Sequence, residues 1–85
     1  MRALEEAAGE RRLLIGVLLD AVRLVLEGEA DPRRRNARDV VEARRWLWSD
    51  DVLAPLSFYN VTEYLDLDPE RIRAVLEAAV APRSQ

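Results

Sequence analysis

The sequence contains no cysteine and no histidine. Without cysteine the chain can form neither a disulfide nor a thiolate metal site, and it has no cysteine nucleophile. The absence of histidine removes the commonest general base and the commonest metal ligand in proteins. A phosphate-binding loop and a zinc-ligand spacing are also missing from the sequence. We therefore expect a protein that is not an enzyme and that holds no metal or cofactor.

Lysine is absent as well, so all 13 basic residues are arginine. The formal net charge of −3 argues against a general nucleic-acid coat, which needs a positive surplus. The charge is nevertheless uneven, because residues 32–45 hold six arginines and two acids between two acidic ends of the chain. This basic band could bind an acidic partner, or it could neutralise its own neighbours.

No hydrophobic run is long enough to cross a membrane. The longest, Leu13–Leu26, has 14 residues and contains Asp20 and Arg23, whereas a spanning helix needs about 20 apolar residues. Three glutamates among the first ten residues do not fit a secretion signal. We expect a cytoplasmic protein without membrane contact, folded as one domain over residues 1–85.

Apolar residues recur at helical spacing throughout the chain, and no strand pattern occurs. The sequence predicts an all-α fold, a four-helix orthogonal bundle. A long apolar helix is expected over residues 3–27, followed by Gly28 as a left-handed cap. A basic helix is expected over residues 32–49, begun by Asp31 and Pro32. A helix-turn-helix-like corner is expected over residues 57–80, and residues 81–85 are expected to fray.

The first predicted helix is apolar on more than one side, so most of its surface must be covered. The rest of this small chain could wrap around it, or a second copy could do so. Gly16 would permit another helix to approach closely. The second possibility predicts a homodimer that pairs through the first helix.

The predicted corner depends on apolar residues at fixed offsets, which seal two short helices together. Thr62 stands where the helices approach, Asp66 can adopt the left-handed region of the turn, and Asp68 caps the last helix. This pattern resembles the helix-turn-helix superfamily. The sealing residues are expected to be Val61, Leu65, Leu67, Ile72 and Val75.

A longer block, ARRWLWSDDVLAPLSFYNVTEYLDLDPERIR, resembles one in short bacterial and phage-associated proteins that have no assigned activity. The shared pattern is tryptophan, Ser-Asp-Asp, Ser-Phe-x-Asn with an apolar residue, and Leu-Asp-Pro followed by an arginine. The resemblance implies a leaning towards gene regulation. Its positions here are Trp46, Ser49, Asp50, Asp51, Ser57, Phe58, Asn60, Val61, Leu67, Asp68, Pro69 and Arg73.

Five arginines are the candidate contacts for a nucleic acid or another partner. Arg34, Arg38 and Arg45 are expected to form one strip along the second helix. Arg71 and Arg73 are expected to be exposed near the start of the last helix, where a DNA reader would enter the major groove. The acids around these two residues would repel phosphate, which weakens the prediction that the last helix contacts DNA.

These features predict a small transcription-associated regulator that binds DNA as a dimer or binds a protein of the transcription machinery. The alternative is a protein–protein interaction module without nucleic-acid contact. Two further patterns are interpreted structurally: Ser49-Asp50-Asp51 as a helix stop followed by a cap, and the aromatic residues as core. The aromatic residues could instead form a platform on which nucleic-acid bases stack. They are Trp46, Trp48, Phe58 and Tyr59.

Overall fold

The computed structural model describes the backbone of residues 2–80 and the side chains of residues 8–79. Four α-helices and no strand occur in this part of the chain, which confirms the all-α prediction. The predicted fraying of residues 81–85 lies outside it. The helices are α1 (Arg2–Ala30), α2 (Arg38–Leu47), α3 (Phe58–Tyr64) and α4 (Pro69–Val80).

The first helix is longer than predicted, because Gly28 continues it instead of capping it. Gly28 is buried with an ordinary negative φ. The reason for a glycine here is packing, since an added Cβ would lie 2.6 Å from the Cγ1 atom of Val40 in α2. The prediction of a left-handed cap was therefore wrong, and Gly28 allows α2 to approach α1.

The second helix begins at Arg38, six residues later than predicted. Asp31 does act as a cap, but for a turn: its Oδ1 accepts the Arg33 N–H at 3.1 Å, and its carbonyl accepts the Arg34 N–H at 2.9 Å. A helix starting at Pro32 would place three consecutive arginines at its positive end. The observed start instead puts Asp39 in the first turn.

One hydrophobic core joins the four helices. Phe58 at the start of α3 is completely buried and meets the Trp46 ring edge to face, with 5.5 Å between the ring centroids. On α1 the buried side chains begin at Leu18, and none occurs among residues 8–17. The core residues are Leu18, Ala21, Val25, Ala43, Leu47, Phe58, Val61, Leu65 and Leu76.

The connection between α3 and α4 follows the predicted local chemistry. Ser57 Oγ accepts the Asn60 N–H at 3.2 Å and so caps α3. Asp66 has a φ of 59°, in the left-handed region. Asp68 Oδ1 accepts the Glu70 N–H at 3.0 Å, so it caps α4 ahead of Pro69.

The sealing residues of this connection were only partly predicted. Val61 and Leu65 are buried and Ile72 is half-buried, but Leu67 is 43% exposed and Val75 is 63% exposed. Leu76 is buried instead, together with Arg73. The face of α4 that meets the core is therefore turned towards residues 73 and 76 and away from Val75.

Candidate interaction surfaces

The predicted strip of Arg34, Arg38 and Arg45 does not form along one helix, because Arg34 precedes α2. Arg34 lies in the turn and pairs with Asp39 at 3.1 Å. Arg38 is the first residue of α2 and pairs with Glu42 at 3.2 Å. Arg45 is exposed and forms no ion pair with a described residue. Two of the three side chains thus pair with nearby carboxylates, and the third is exposed.

Arg71 and Arg73 lie in different environments although they are two residues apart on α4. Arg71 is exposed, whereas Arg73 is 8% exposed, so the expectation that both would face solvent was wrong. The Arg73 Nε donates to the Leu47 carbonyl at 2.8 Å, and its Nη2 donates to the Ser49 carbonyl at 2.7 Å. The Leu47 carbonyl is one that the end of α2 leaves without a helical partner, and the Ser49 carbonyl lies two residues beyond the helix. Arg73 therefore caps α2 from another helix.

The Arg73 guanidinium also stacks on two aromatic rings. Its central carbon lies 5.0 Å from the Phe58 ring centroid and 4.9 Å from that of Tyr59. Nη1 donates to the Tyr59 hydroxyl at 3.0 Å and lies 3.4 Å from a Glu70 carboxylate oxygen. One cation thus joins α2, α3 and α4. Its place in the Leu-Asp-Pro…Arg pattern was visible in the sequence, but its partners were not.

The two tyrosines lie near opposite ends of α3, and the hydroxyl of each donates a hydrogen bond to a glutamate of another helix. The Tyr59 hydroxyl donates to Glu70 at 2.9 Å. This bond, with burial second, raises the pKa of Tyr59, while nearby Arg73 acts in the opposite sense. The Tyr64 hydroxyl donates to Glu10 of α1 at 3.1 Å. Burial, followed by this bond, raises the pKa of Tyr64. Both hydroxyls therefore stay protonated beyond their ordinary range.

The segment between α2 and α3 is a loop of exposed apolar residues held by side-chain hydrogen bonds. Asp51 Oδ1 accepts the Leu53 N–H at 2.8 Å, as the predicted cap requires. Asn60 Nδ2 donates to the carbonyls of Val52 and Ala54 at 3.0 and 2.8 Å. Leu53 is nevertheless 89% exposed. The Ser-Asp-Asp and Ser-Phe-x-Asn residues therefore serve as the scaffold of this loop.

The aromatic residues belong to the core and its edge, as the structural interpretation predicted. Phe58 is buried, and both tryptophans are half-buried against the core cluster. The Trp46 Nε1 donates to the Leu56 carbonyl at 2.8 Å, and the Trp48 Nε1 donates to Glu77 at 3.3 Å. This arrangement does not form a flat platform open to nucleic-acid bases.

The N-terminal segment of α1 (residues 8–17) is the least covered part of the helix among the described residues, although Leu14 packs against the core. None of its side chains is buried. Leu13 is 67% exposed, and Leu19 just beyond it is 61% exposed. Gly16 lies here too, and a Cβ added to it would meet nothing within 4 Å, so the predicted close approach does not occur within the described chain.

An apolar groove of about 310 Å³ runs between α1 and α4. Val22 forms its α1 side, and the exposed Leu67 and Val75 lie on its α4 side. Asp68 and Arg71 place one charge of each sign at its edge. The groove and the N-terminal segment of α1 are two places where the described surface leaves apolar side chains in water, and the loop with Val52, Leu53 and Leu56 is a third.

No group of three or more metal-ligating side chains occurs among the described residues. None of the described helices combines the length and apolar character needed to cross a membrane. Comparison of the chain with protein-family models, with curated proteins and with solved structures found no match. The case for a function therefore depends on the surfaces of the molecule itself.

Proposed function

We propose that the protein is a protein–protein interaction module that forms a homodimer through α1. The observation that carries this proposal is the uncovered N-terminal segment of α1. Soluble monomers seldom leave a large contiguous apolar patch in water. Fully burying a leucine or isoleucine side chain stabilises an association by about 1.5–3 kcal/mol, so covering the exposed Leu19 together with Ile15, one turn before it on the same side of α1, would contribute to a dimer interface.

The dimer is tested by sedimentation equilibrium across a range of protein concentrations. We expect the mass to rise from monomer to dimer with concentration, and L19E to raise the dissociation constant at least roughly tenfold, because a carboxylate would be buried without a partner. L53E is the matched control, since Leu53 is equally apolar and more exposed but lies far along the chain. A wild-type protein that stays monomeric at millimolar concentration would refute the proposal.

A DNA-binding regulator is the second candidate. The observation that favours it is the left-handed turn at Asp66 between two capped helices, with Arg71 exposed in the first turn of α4. Against it, residues 57–79 carry five acids and only two arginines, of which Arg73 is buried. Phosphate would therefore meet a negative field at this end of the molecule.

Gel-shift titration on mixed-sequence duplex at low salt tests this second candidate. A DNA binder should shift the duplex at micromolar protein and lose affinity steeply as salt rises. R71A should then weaken binding, while R45A would show whether α2 supplies phosphate contacts. Unshifted duplex at micromolar protein would reject DNA binding and leave the interaction module standing.

A further inference from the structure

A second cleft, of about 530 Å³, lies on α3 and is separate from the N-terminal segment of α1. This α3 cleft is lined by the loop after α2, by α3 itself and by the turn that leads into α4. Val52 of the loop and Leu67 of the turn both line it, and they are 59% and 43% exposed. The cleft therefore leaves apolar surface from two different connections open to a ligand.

Hydrogen bonds fix the backbone on both sides of the α3 cleft. In the loop, the Val52 carbonyl accepts the Asn60 side-chain amide at 3.0 Å. In the turn, the Leu67 N–H donates to the Thr62 carbonyl at 2.8 Å, next to the left-handed Asp66. A cleft whose walls are held in this way is already formed before a partner arrives, which lowers the cost of binding.

Two carboxylates of the α3 cleft have no partner within the described chain. The side chains of Glu63 and Asp66 form neither a hydrogen bond nor an ion pair with a described residue. The other polar side chains of the cleft all donate within the chain: those of Tyr59, Asn60 and Thr62. The charge that the cleft offers a ligand is therefore negative.

The surroundings of the α3 cleft have the same sign of charge. Residues 46–70 contain six acids and no arginine. Arg73 contacts the Tyr59 ring, but it is buried and pairs with Asp50 and Glu70. Arg71 is exposed and lines the other groove, between α1 and α4. No described cation therefore lines the α3 cleft, and an anionic ligand such as nucleic-acid phosphate would be repelled.

We propose that the α3 cleft binds a cationic amphipathic segment of another protein. An apolar side chain of that segment lies against Val52 and Leu67, and flanking arginines or lysines pair with Glu63 and Asp66. The apolar contact supplies affinity, while the charge selects the partner and its orientation. This surface is distinct from the one assigned to the homodimer, so the proposal holds for a monomer and for a dimer.

Three labelled synthetic peptides test the proposal by fluorescence anisotropy at low salt. All have about 18 residues, or five helical turns, and share one helical pattern. The first combines leucine with arginine, the second serine with arginine, and the third leucine with glutamate. We expect the Leu–Arg peptide to bind, and the other two to bind at least roughly tenfold more weakly, because each lacks one half of the required chemistry.

A pair of double variants places the charge contact. E63Q/D66N should weaken binding of the Leu–Arg peptide roughly tenfold, and asparagine at position 66 keeps the left-handed turn. D20N/E42Q is the matched control, since it removes two exposed carboxylates that do not line the cleft. The control should bind the peptide within about twofold of the wild-type protein, apart from the effect of net charge that salt screens.

Three serine variants place the apolar contact. V52S and L67S should each weaken binding of the Leu–Arg peptide several-fold, because each removes apolar surface from the cleft. L53S is the control: Leu53 belongs to the same loop and is 89% exposed, but it does not line the cleft. Circular dichroism of every variant shows whether the helices are retained.

Other results would overturn the proposal. These are failure of the Leu–Arg peptide to bind at millimolar concentration, equal binding of the Ser–Arg peptide, or equal weakening by the matched controls. Sedimentation of E63Q/D66N covers the remaining occupant, a second copy of the chain. If this variant lost self-association that the wild-type protein shows, the cleft would belong to the homodimer and not to another protein. A monomeric wild-type protein that still binds the Leu–Arg peptide would refute the homodimer alone.

Discussion

The region around Arg73 is held together by contacts within the chain, whereas the N-terminal segment of α1 leaves apolar side chains exposed to water. Around Arg73 one buried cation joins three helices, and the hydrogen bonds that it donates satisfy the open end of α2. The N-terminal segment of α1 buries no side chain, although Leu13 and Ile15 are apolar. The first region is complete within one chain, whereas the proposed homodimer would complete the second. Changes in the first should alter folding, and changes in the second should alter association.

The largest expected effect is the loss of Arg73. R73A would remove the donors to the Leu47 and Ser49 carbonyls and the cation between two rings. Leaving such buried groups without a partner should lower the free energy of unfolding by about 3 kcal/mol. Urea unfolding at fixed protein concentration measures this change, and the fixed concentration is needed because a dimer couples stability to mass action.

R71A is the control for R73A, because it removes the same side chain from an exposed position on the same helix. We expect a change within about 0.5 kcal/mol. R73K separates charge from geometry: lysine keeps the cation but cannot reproduce the planar contacts to two carbonyls. Equal stability of R73K and the wild-type protein would show that the charge alone matters at this position.

Two glycines of α1 extend the comparison to packed and unpacked positions of one helix, because the same substitution should have opposite signs at the two positions. G28A places a methyl group 2.6 Å from the Cγ1 atom of buried Val40. We expect overpacking to exceed the gain in helix propensity, for a net loss of about 1 kcal/mol. At Gly16 the added methyl meets nothing within 4 Å, so G16A should stabilise the helix by up to about 1 kcal/mol.

Thermal unfolding of both glycine variants at one concentration measures these effects. If G28A were as stable as G16A, the contact between α1 and α2 would be looser than the structure shows. Sedimentation of G16A adds a second measurement, because Gly16 lies in the segment of α1 that the proposed homodimer would cover. A changed dissociation constant in G16A would place the proposed dimer contact near this residue, and an unchanged one would place the contact on another side of α1.

Local chemistry could be predicted from the sequence, and contacts between distant segments could not. The caps at Ser57 and Asp68 and the left-handed Asp66 depend on neighbours within three residues, so the residue types were sufficient. Asp31 misled the prediction of α2, because an aspartate caps a turn as readily as a helix. The number of helices and the absence of strands in the described chain followed from apolar periodicity alone.

The burial of Arg73 could not be predicted from the sequence because its partners are far away along the chain. Leu47 and Ser49 precede it by 26 and 24 residues, and no periodicity relates these positions. An arginine surrounded by acids suggests a solvated charge, and only the meeting of α2 with α4 shows otherwise. The prediction for Gly28 was wrong for the same reason, since the role of this residue depends on Val40 of the next helix. The dimer, DNA binding and the family resemblance remain predictions.

The smallest expected effect compares the two tyrosines, which are the only ones in the sequence. Their folded pKa values lie above the ordinary 10.0, so the unfolded chain loses these protons first as pH rises. The free energy of unfolding should therefore be unaffected below pH 10.0 by these groups and fall above it. Phenolate absorbance during an alkaline titration of the folded protein follows both groups directly.

Two glutamine variants assign the cause at each tyrosine. The hydrogen bond to Glu70 is the leading cause at Tyr59, whereas burial is the leading cause at Tyr64. E70Q should consequently return the pKa of Tyr59 towards its ordinary value, and E10Q should change the pKa of Tyr64 less. The reverse order would mean that Glu10 holds the N-terminal segment of α1 against α3 more firmly than Glu70 holds Tyr59. That segment would then be less free to meet a second copy of the chain, because its bond to Tyr64 would have to be broken or kept in the dimer.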